Sequence, residues 1–310
     1  MLERLAAKCR GLLSATSSKQ WRAFLAEDRL FNAVTAVASV VHLFPVVLTA
    51  VTGTAFYFLV TGEWRAFDSV LLFGSILLIS AAIGSMNDYL DFDLDRRAQP
   101  NKPLVRGEMR PATALVISCV AAAGGALLSA CFGWQTLGIA LLVLASGMAY
   151  NFWAKGTIWS WIPYAVAISA LPVWAFVAAG KFKPVVLLTF PLGALISLAV
   201  NLANTLPDLA GDIRYGLKGL AHRLGRQRSI LVICCSFGVV IGLLALTPIF
   251  IGSKPRMLFP GLILGSLLLL VMIGDYSISR SDASLKRGWY LSSILTALLG
   301  GAWIASLSPG

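Results

Sequence analysis

Two short stretches of this sequence repeat one pattern of amide and carboxylate side chains. An Asn, an Asp four residues on and an Asp eight residues on occur as Asn87, Asp91 and Asp95 and again as Asn204, Asp208 and Asp212. On a helix these positions share one face. Carboxylates packed this closely repel unless a cation lies between them. Such oxygen ligands suit Mg²⁺, which also binds substrate phosphates. Two facing stripes would therefore hold a diphosphate through bridging metal ions.

Residues beside the two patterns refine this interpretation. Asp88 lies one helical turn from Asp91, and Asn201 extends the second stripe back along its helix by one turn. Pro207 precedes Asp208, so we expect the helix to kink or unwind just before that carboxylate.

The composition indicates a membrane protein. The chain has 310 residues, of which 58% are hydrophobic and 13% charged, whereas soluble domains carry about 25% charged residues. Of 14 acidic residues, six lie in the two motif regions: Asp88, Asp91, Asp93, Asp95, Asp208 and Asp212. The net charge of +11 does not indicate nucleic-acid binding, because the basic residues lie in short loops between apolar stretches.

The apolar stretches predict an all-α polytopic bundle of about nine transmembrane helices, forming one domain over residues 1–310. A basic amphipathic segment, residues 1–30, comes first. The predicted spans are residues 31–62 with a kink at Pro45, 70–86, a hairpin within 111–154 that turns at 133–135, 158–180, 184–206, 229–252, 259–274 and 289–308.

The basic residues also predict the orientation. With a cytoplasmic N-terminus, most of the 25 lysines and arginines fall in inner segments, as the positive-inside rule requires. Both motifs then follow even-numbered spans, so we expect both at the cytoplasmic face. This arrangement predicts a parallel internal repeat with halves of about 31–155 and 156–310, and a site between them.

The sequence resembles the UbiA superfamily of intramembrane prenyltransferases. Its first signature resembles Asn87-Asp88-x-x-Asp91-x-x-x-Asp95-Arg96, followed by Pro100-Asn101-Lys102-Pro103-Leu104 and Gly107. Its second resembles Asn204-x-x-x-Asp208-x-x-x-Asp212 with Leu224-Gly225 downstream. Asn32 and the pair Tyr150 and Lys155 are similar to lesser family features. Four residues depart from the family pattern: Leu30 replaces a proline, Lys102 an arginine, Arg106 a small residue and Gly219 a threonine.

The resemblance implies Mg²⁺-dependent transfer of a prenyl group from its diphosphate to an acceptor. The residues implied both to bind the metal and to act in catalysis are Asp88, Asp91, Asp95, Asp208 and Asp212. The implied substrate-binding residues are Asn32, Asn87, Lys102, Tyr150, Lys155, Asn201, Asn204 and Arg214. Aromatic candidates for stabilising an allylic cation, or alternatively for an interfacial belt, are Tyr150, Phe152, Trp153, Trp159 and Trp161. His42 and His222 are interpreted as structural hydrogen-bonding residues.

We expect an aromatic acceptor, as in the biosynthesis of quinones and related lipids. Alternatives within the family are a glycerophosphate lipid, a chlorophyllide, a phosphoribosyl substrate or an internal double bond, the last giving a terpene cyclase. Outside the family, an ion-coupled transporter also uses intramembrane carboxylates, but near the midplane of the bilayer. The expected partners are a prenyl diphosphate, an acceptor small molecule or lipid, and the bilayer, with no nucleic acid and no obligatory protein partner.

Overall fold

The computed structural model describes residues 32–209, 219–279 and 281–308, and its regular elements are all helices. Nine helical spans within these residues are long and apolar enough to cross a membrane, which confirms the all-α, nine-span prediction. A short helix, residues 32–40, precedes them. The helices are α1 (Leu43–Thr61), α2 (Ala66–Ala98), α3 (Pro111–Ala130), α4 (Trp134–Ala149), α5 (Trp161–Ala178), α6 (Thr189–Thr205), α7 (Leu220–Ile251), α8 (Pro255–Ile278) and α9 (Asp282–Leu307). The amphipathic segment predicted at residues 1–30 lies outside the described residues.

Prolines and glycines mark several helix ends. Pro111 and Pro255 lie at the first positions of α3 and α8, where a missing N–H costs nothing. Gly62 and Gly252 end α1 and α7 in the left-handed conformation, with φ of 74° and 66°. The α3–α4 hairpin turns at Gly133 (φ 104°), as predicted. Local chemistry thus determines where several of the apolar runs start and stop.

The first span breaks at His42 rather than at Pro45. His42 has φ 55° and ψ 61°, a left-handed conformation that no other non-glycine residue in the described ranges adopts. This conformation costs a non-glycine residue roughly 1–2 kcal/mol. Pro45 instead lies in the first turn of α1, where its ring disrupts no intrahelical hydrogen bond. The kink was therefore predicted three residues too late.

Both motifs lie on helices, but the two helices end differently. α2 runs for 33 residues and continues through the first motif to Ala98, well beyond residue 86, where the predicted membrane span ends. α6 ends at Thr205 and tightens into a 3₁₀ turn, Leu206–Asp208. Pro207 lies in that turn, as its position in the sequence predicted. The proposed internal repeat remains a prediction.

Serine hydroxyls and small residues hold the helices close together. Two serine hydroxyls join α2 and α3, each donating a hydrogen bond to a backbone carbonyl of the other helix. Ser75 Oγ on α2 donates to the Gly125 carbonyl at 2.7 Å, and Ser118 Oγ on α3 donates to the Ala82 carbonyl at 2.8 Å. Small side chains and buried hydroxyls let transmembrane helices approach closely where apolar burial gives little driving force. α2 consequently packs along α3, α1 and α4, which fixes the first motif in place.

Gly147 on α4 is the point of close contact with α2, and its replacement by alanine tests this packing. A Cβ atom at residue 147 would lie 2.4 Å from Ile83 Cδ1 and 2.5 Å from Cγ1. We expect Gly147→Ala to destabilise the protein by about 1–3 kcal/mol through overpacking. Thermal unfolding in detergent measures the effect. Gly138→Ala is the matched control, because nothing lies within 4 Å of a Cβ at that position of the same helix. Equal melting temperatures for the two variants would contradict this account.

Candidate functional site

The two motifs face one cavity of about 630 Å³ within the bundle. The first motif contributes Asn87, Asp91 and Asp95 to its wall, and the second contributes Asn204 and Asp208. Residues far apart in the sequence therefore line the same cavity.

Two lysines bridge the oxygen atoms of the first motif. Lys155 Nζ donates to Asn87 Oδ1 at 2.9 Å and to Asp91 Oδ2. Lys102 Nζ donates to Asp88 Oδ1 at 2.9 Å and to Asp95 Oδ2 at 2.8 Å. The motif carboxylates are thus neutralised by ammonium groups from two loops. These contacts reduce the repulsion among three aspartates that lie within about two turns of one helix.

Each bridging lysine is positioned by its own local structure. Lys155 directly follows a π-helical turn, Tyr150–Ala154. Within that turn, Asn151 Nδ2 donates a hydrogen bond to the Ile83 carbonyl of α2 at 2.9 Å, which holds the turn against α2. Lys102 lies in the loop before α3, where buried Leu104 packs with Val40 and Ala114. π-turns are rare and occur often at functional sites. Both lysines were predicted at the site, but their pairing with carboxylates was not.

The surroundings of Lys102 keep its amine charged. Burial lowers the pKa of Lys102, but the charges of Asp88 and Asp95 and their hydrogen bonds raise it more, so the net pKa lies above the ordinary value. The side chain therefore acts as a fixed cation at the polar end of the cavity.

Asp88 lies behind the cavity wall rather than on it. Its side chain is 2% exposed, it is absent from the lining, and it contacts Lys102 and His42. His42 Nε2 lies 3.1 Å from Asp88 Oδ1, and the His42 ring lines the cavity. The sequence analysis placed Asp88 among the metal ligands and His42 among structural residues. The structure instead makes Asp88 a buried partner of two side chains.

The second motif connects to a pair of tyrosines. Asn204 Nδ2 donates to Tyr164 Oη at 3.4 Å, and the Tyr164 ring packs edge to face on Tyr150 with centroids 5.2 Å apart. All three residues line the cavity. Tyr164 was missed because α5 reads as a uniformly apolar span, in which one tyrosine gives no signal. Asn201 is buried and accepts a 2.9 Å hydrogen bond from Ser160, but it does not line the cavity.

Asn32 and four of the aromatic candidates do not line the cavity. Asn32 is exposed and absent from the lining, and Trp161 is half-buried and also absent. Phe152, Trp153 and Trp159 are exposed large apolar side chains, which favours the interfacial-belt interpretation. Asp212 and Arg214 lie in residues 210–218, outside the described ranges.

The donor set at the polar end is compatible with Mg²⁺. In the described part of the chain, no three His, Cys, Asp or Glu side chains converge to hold a metal ion. Mg²⁺ nevertheless needs only one or two carboxylates when substrate phosphates and water complete its shell. Asp91, Asp95 and Asp208 supply hard carboxylate oxygens to one cavity. These residues therefore fit the ion together with a phosphorylated ligand.

Beyond the polar end, the cavity continues between apolar side chains. Its lining there includes Phe56, Ile76, Leu171, Trp174, Val240, Leu244, Leu299 and Trp303. At a helical rise of about 1.5 Å per residue, Ile76 lies roughly 22 Å from Asp91 along α2. A cavity with a charged end and a long apolar body suits a ligand with an anionic head and a hydrocarbon chain.

Comparison with known proteins shows one family. Residues 30–306 match the model of the UbiA prenyltransferase family. A digeranylgeranylglyceryl phosphate synthase of Methanothrix thermoacetophila is 27% identical over 231 residues, covering 73% of this chain and 85% of that protein. The synthase of the same name from Thermococcus gammatolerans is 29% identical, covering 59% and 66%. Glycinol 4-dimethylallyltransferase of Glycine max is 26% identical, covering 52% and 43%.

Solved structures share the fold. A UbiA homolog from Archaeoglobus fulgidus bound to DMAPP and Mg²⁺ matches with a TM-score of 0.67 at 17% identity, covering 86% of this chain and 98% of that one. The apo structure of a UbiA homolog from Aeropyrum pernix K1 matches with a TM-score of 0.69 at 15% identity, covering 84% and 98%. At such identities the likeness concerns the fold.

Proposed function

Because this chain belongs to the UbiA prenyltransferase family, we propose that it transfers a prenyl group from a prenyl diphosphate to an acceptor with the help of Mg²⁺. One observation carries the proposal. Residues of both carboxylate motifs line a cavity whose remaining wall is mostly apolar. An integral membrane protein with such a cavity can take the hydrocarbon chain of its substrate from the bilayer.

Asp91, Asp95 and Asp208 are the proposed metal-binding residues, because they line the cavity. Asp212 completes the second motif in the sequence. Bound Mg²⁺ would supply positive charge that stabilises the diphosphate as it leaves. Asp88 is assigned a different role, since it is buried behind the wall.

Lys102 and Lys155 are the proposed binding residues for the diphosphate. Each ammonium group has three donors, of which two contact motif oxygens in this structure. A diphosphate at this end of the cavity would meet two fixed cations as well as the metal. Negative charge that develops on the leaving group is then stabilised without reorganisation of the protein.

Tyr150 and Tyr164 are proposed to face the allylic cation. Their rings line the cavity beside the second motif, and the hydrogen bond from Asn204 orients Tyr164. In the reaction the bond between prenyl C1 and the diphosphate oxygen breaks, and the diphosphate leaves with the electron pair. The acceptor then forms a bond to C1 and releases a proton. Aromatic faces stabilise the cation through cation–π contact and exclude water from it.

For the acceptor, we propose a glycerophosphate lipid. Several curated relatives are named digeranylgeranylglyceryl phosphate synthase, a name that indicates a glyceryl phosphate product. The aromatic acceptor expected from the sequence remains a second candidate, which the similarity to glycinol 4-dimethylallyltransferase favours. The position of the carboxylates supports an enzyme over a transporter: Asp91 and Asp95 lie in the last turns of α2, and Asp208 lies just beyond α6.

Purified protein in lipid nanodiscs tests this proposal. With Mg²⁺ and geranylgeranyl diphosphate, we expect diphosphate release and a prenylated product with geranylgeranylglyceryl phosphate, and less product with para-hydroxybenzoate. Mass spectrometry identifies the product, and omission of Mg²⁺ is the control. Preference for para-hydroxybenzoate would support the second candidate. Absence of any prenylated product with either acceptor would refute the transferase proposal.

We also propose that the polar end of the cavity faces the cytoplasm, as the basic loops predict. Glu63 and Glu108 are exposed residues in loops at opposite ends of α2. In a variant without native cysteines, we expect an impermeant maleimide applied to intact cells to label Glu63→Cys and not Glu108→Cys. Permeabilised cells provide the control, since both positions should then react. Labelling of residue 108 in intact cells would reverse the orientation.

A further inference from the structure

The backbone at His42 adopts a conformation that suits other residue types better. Its φ of 55° and ψ of 61° place it in the left-handed region, which few residues other than glycine adopt and in which Asn, Asp and His are the commonest of those few. Strained positions of this kind persist where the surrounding structure requires the particular side chain, and they cluster at functional sites. The His42 side chain therefore has a role that the turn itself does not explain.

α2 is shaped to receive this turn. A Cβ atom on Gly84 would lie 2.9 Å from the Val41 carbonyl oxygen and 3.1 Å from His42 Cδ2. Because the nearest of these atoms belongs to the backbone, only glycine at residue 84 permits the approach. Asp88 lies one turn further along α2 and holds the ring of His42. Two features of α2 thus place one imidazole at the cavity wall.

The contact with Asp88 determines which ring nitrogen is left for a ligand. An ionised carboxylate only accepts hydrogen bonds, so Nε2 of His42 carries the proton and donates to Asp88 Oδ1 at 3.1 Å. In the tautomer that carries its proton on Nε2, Nδ1 is the acceptor of the ring. Lys102 holds the same Asp88 oxygen at 2.9 Å, which fixes the carboxylate in turn. The His42 side chain is 38% exposed and lines the cavity, so a ligand can reach it.

The ring lies at the level where the prenyl chain would meet its diphosphate. The His42 ring lies beside two residues of α2. Gly84 lies one turn before Asn87, and Asp88 directly follows Asn87. Asp91 lies one turn further, or roughly 5 Å along the helix. An acceptor held by His42 would therefore lie about one helical turn, along α2, from a carboxylate proposed to bind the metal.

We propose that His42 is the acceptor-binding residue of this enzyme, and that Asp88 is its positioning residue. Nδ1 of His42 accepts a hydrogen bond from a hydroxyl group of the acceptor and orients that oxygen towards prenyl C1. The acceptor is thus a molecule that presents a free hydroxyl at this wall, which the glycerol of a glycerophosphate lipid provides. This inference rests on the proposed transferase function and adds to it the atom by which the acceptor is held.

His42→Asn tests the inference, because asparagine tolerates the left-handed backbone. With geranylgeranyl diphosphate and geranylgeranylglyceryl phosphate, we expect the acceptor KM to rise about tenfold, as for the loss of one substrate hydrogen bond. The donor KM should change less than twofold, and the melting temperature should stay equal or rise. His42→Gly is a second variant with the same expected split, in case asparagine makes contacts of its own.

Asp88→Asn tests the positioning role in a double-mutant cycle. It should raise the acceptor KM when His42 is present and add nothing in the His42→Asn background, since residues that act through one another are not additive. Additive effects would overturn the role of Asp88. Equal changes in donor and acceptor KM, or a fall in melting temperature that parallels the loss of activity, would show that His42 only supports the fold. A wild-type protein without transfer activity would instead refute the proposed function on which this inference rests.

Discussion

Asp91→Asn and Asp208→Asn are each expected to lower kcat/KM for prenyl transfer by about two to three orders of magnitude, because each would weaken the hold on the Mg²⁺ that stabilises the leaving diphosphate, and losing one stabilising group of that kind costs about this much. Each substitution keeps the shape of the side chain and removes a carboxylate that faces the cavity. The two residues come from different motifs, so losses of similar size would show that both motifs serve one site. Diphosphate release at a fixed Mg²⁺ concentration measures the effect, and a Mg²⁺ titration separates weaker metal binding from slower chemistry.

Asp93→Asn is the matched control for this experiment. Asp93 belongs to the same stretch of α2 and carries the same charge, but it is exposed and absent from the cavity wall. We expect the activity of the Asp93→Asn variant to stay within about twofold of wild type, because a solvated surface charge contributes little to stability or to the site. If Asp91→Asn and Asp93→Asn behaved alike, the position of a carboxylate on the helix would not matter, and the assignment of Asp91 would be wrong.

The helices and the position of each motif on one helical face follow from patterns that a single sequence contains. Uncharged runs must be long enough to cross the apolar layer, and the repeated spacing of Asn87, Asp91 and Asp95 places their side chains on one helical face. Pro207 marks its 3₁₀ turn for a similar reason, because proline locally forbids the regular helix. Each of these features depends on neighbouring residues only.

Other features depend on contacts between distant residues, and the sequence carried no signal for them. Nothing local shows that His42 reaches Asp88 or that Tyr164 reaches Asn204, because both pairs form only when separate helices pack. The length of α2 beyond the predicted membrane span depends on such contacts too. Lys102 and Lys155 compensate the charges of the first motif and allow the helix to continue to Ala98.

Lys102→Met is expected to lower both the free energy of unfolding and the rate of prenyl transfer, with the larger effect on the free energy of unfolding. The lysine side chain is 19% exposed and joins the carboxylates of Asp88 and Asp95, which are 2% and 6% exposed. Removing the ammonium group leaves two buried carboxylates without their shared cation. Breaking a buried ion pair in this way costs about 3–5 kcal/mol. The melting temperature in detergent measures the loss, and Lys286→Met, at an exposed lysine of α9, is the control that should not change it.

A second substitution distinguishes loss of charge compensation from loss of packing. If unpaired carboxylates cause the instability, adding Asp95→Asn to Lys102→Met should restore much of the melting temperature, because one buried charge is removed. The activity should stay low in the double variant, because the cavity then lacks both the cation and a proposed metal-binding carboxylate. Should the double variant be less stable than Lys102→Met, the lysine would act mainly by filling space. Recovery of stability without activity would instead show that the same charges serve folding and diphosphate binding.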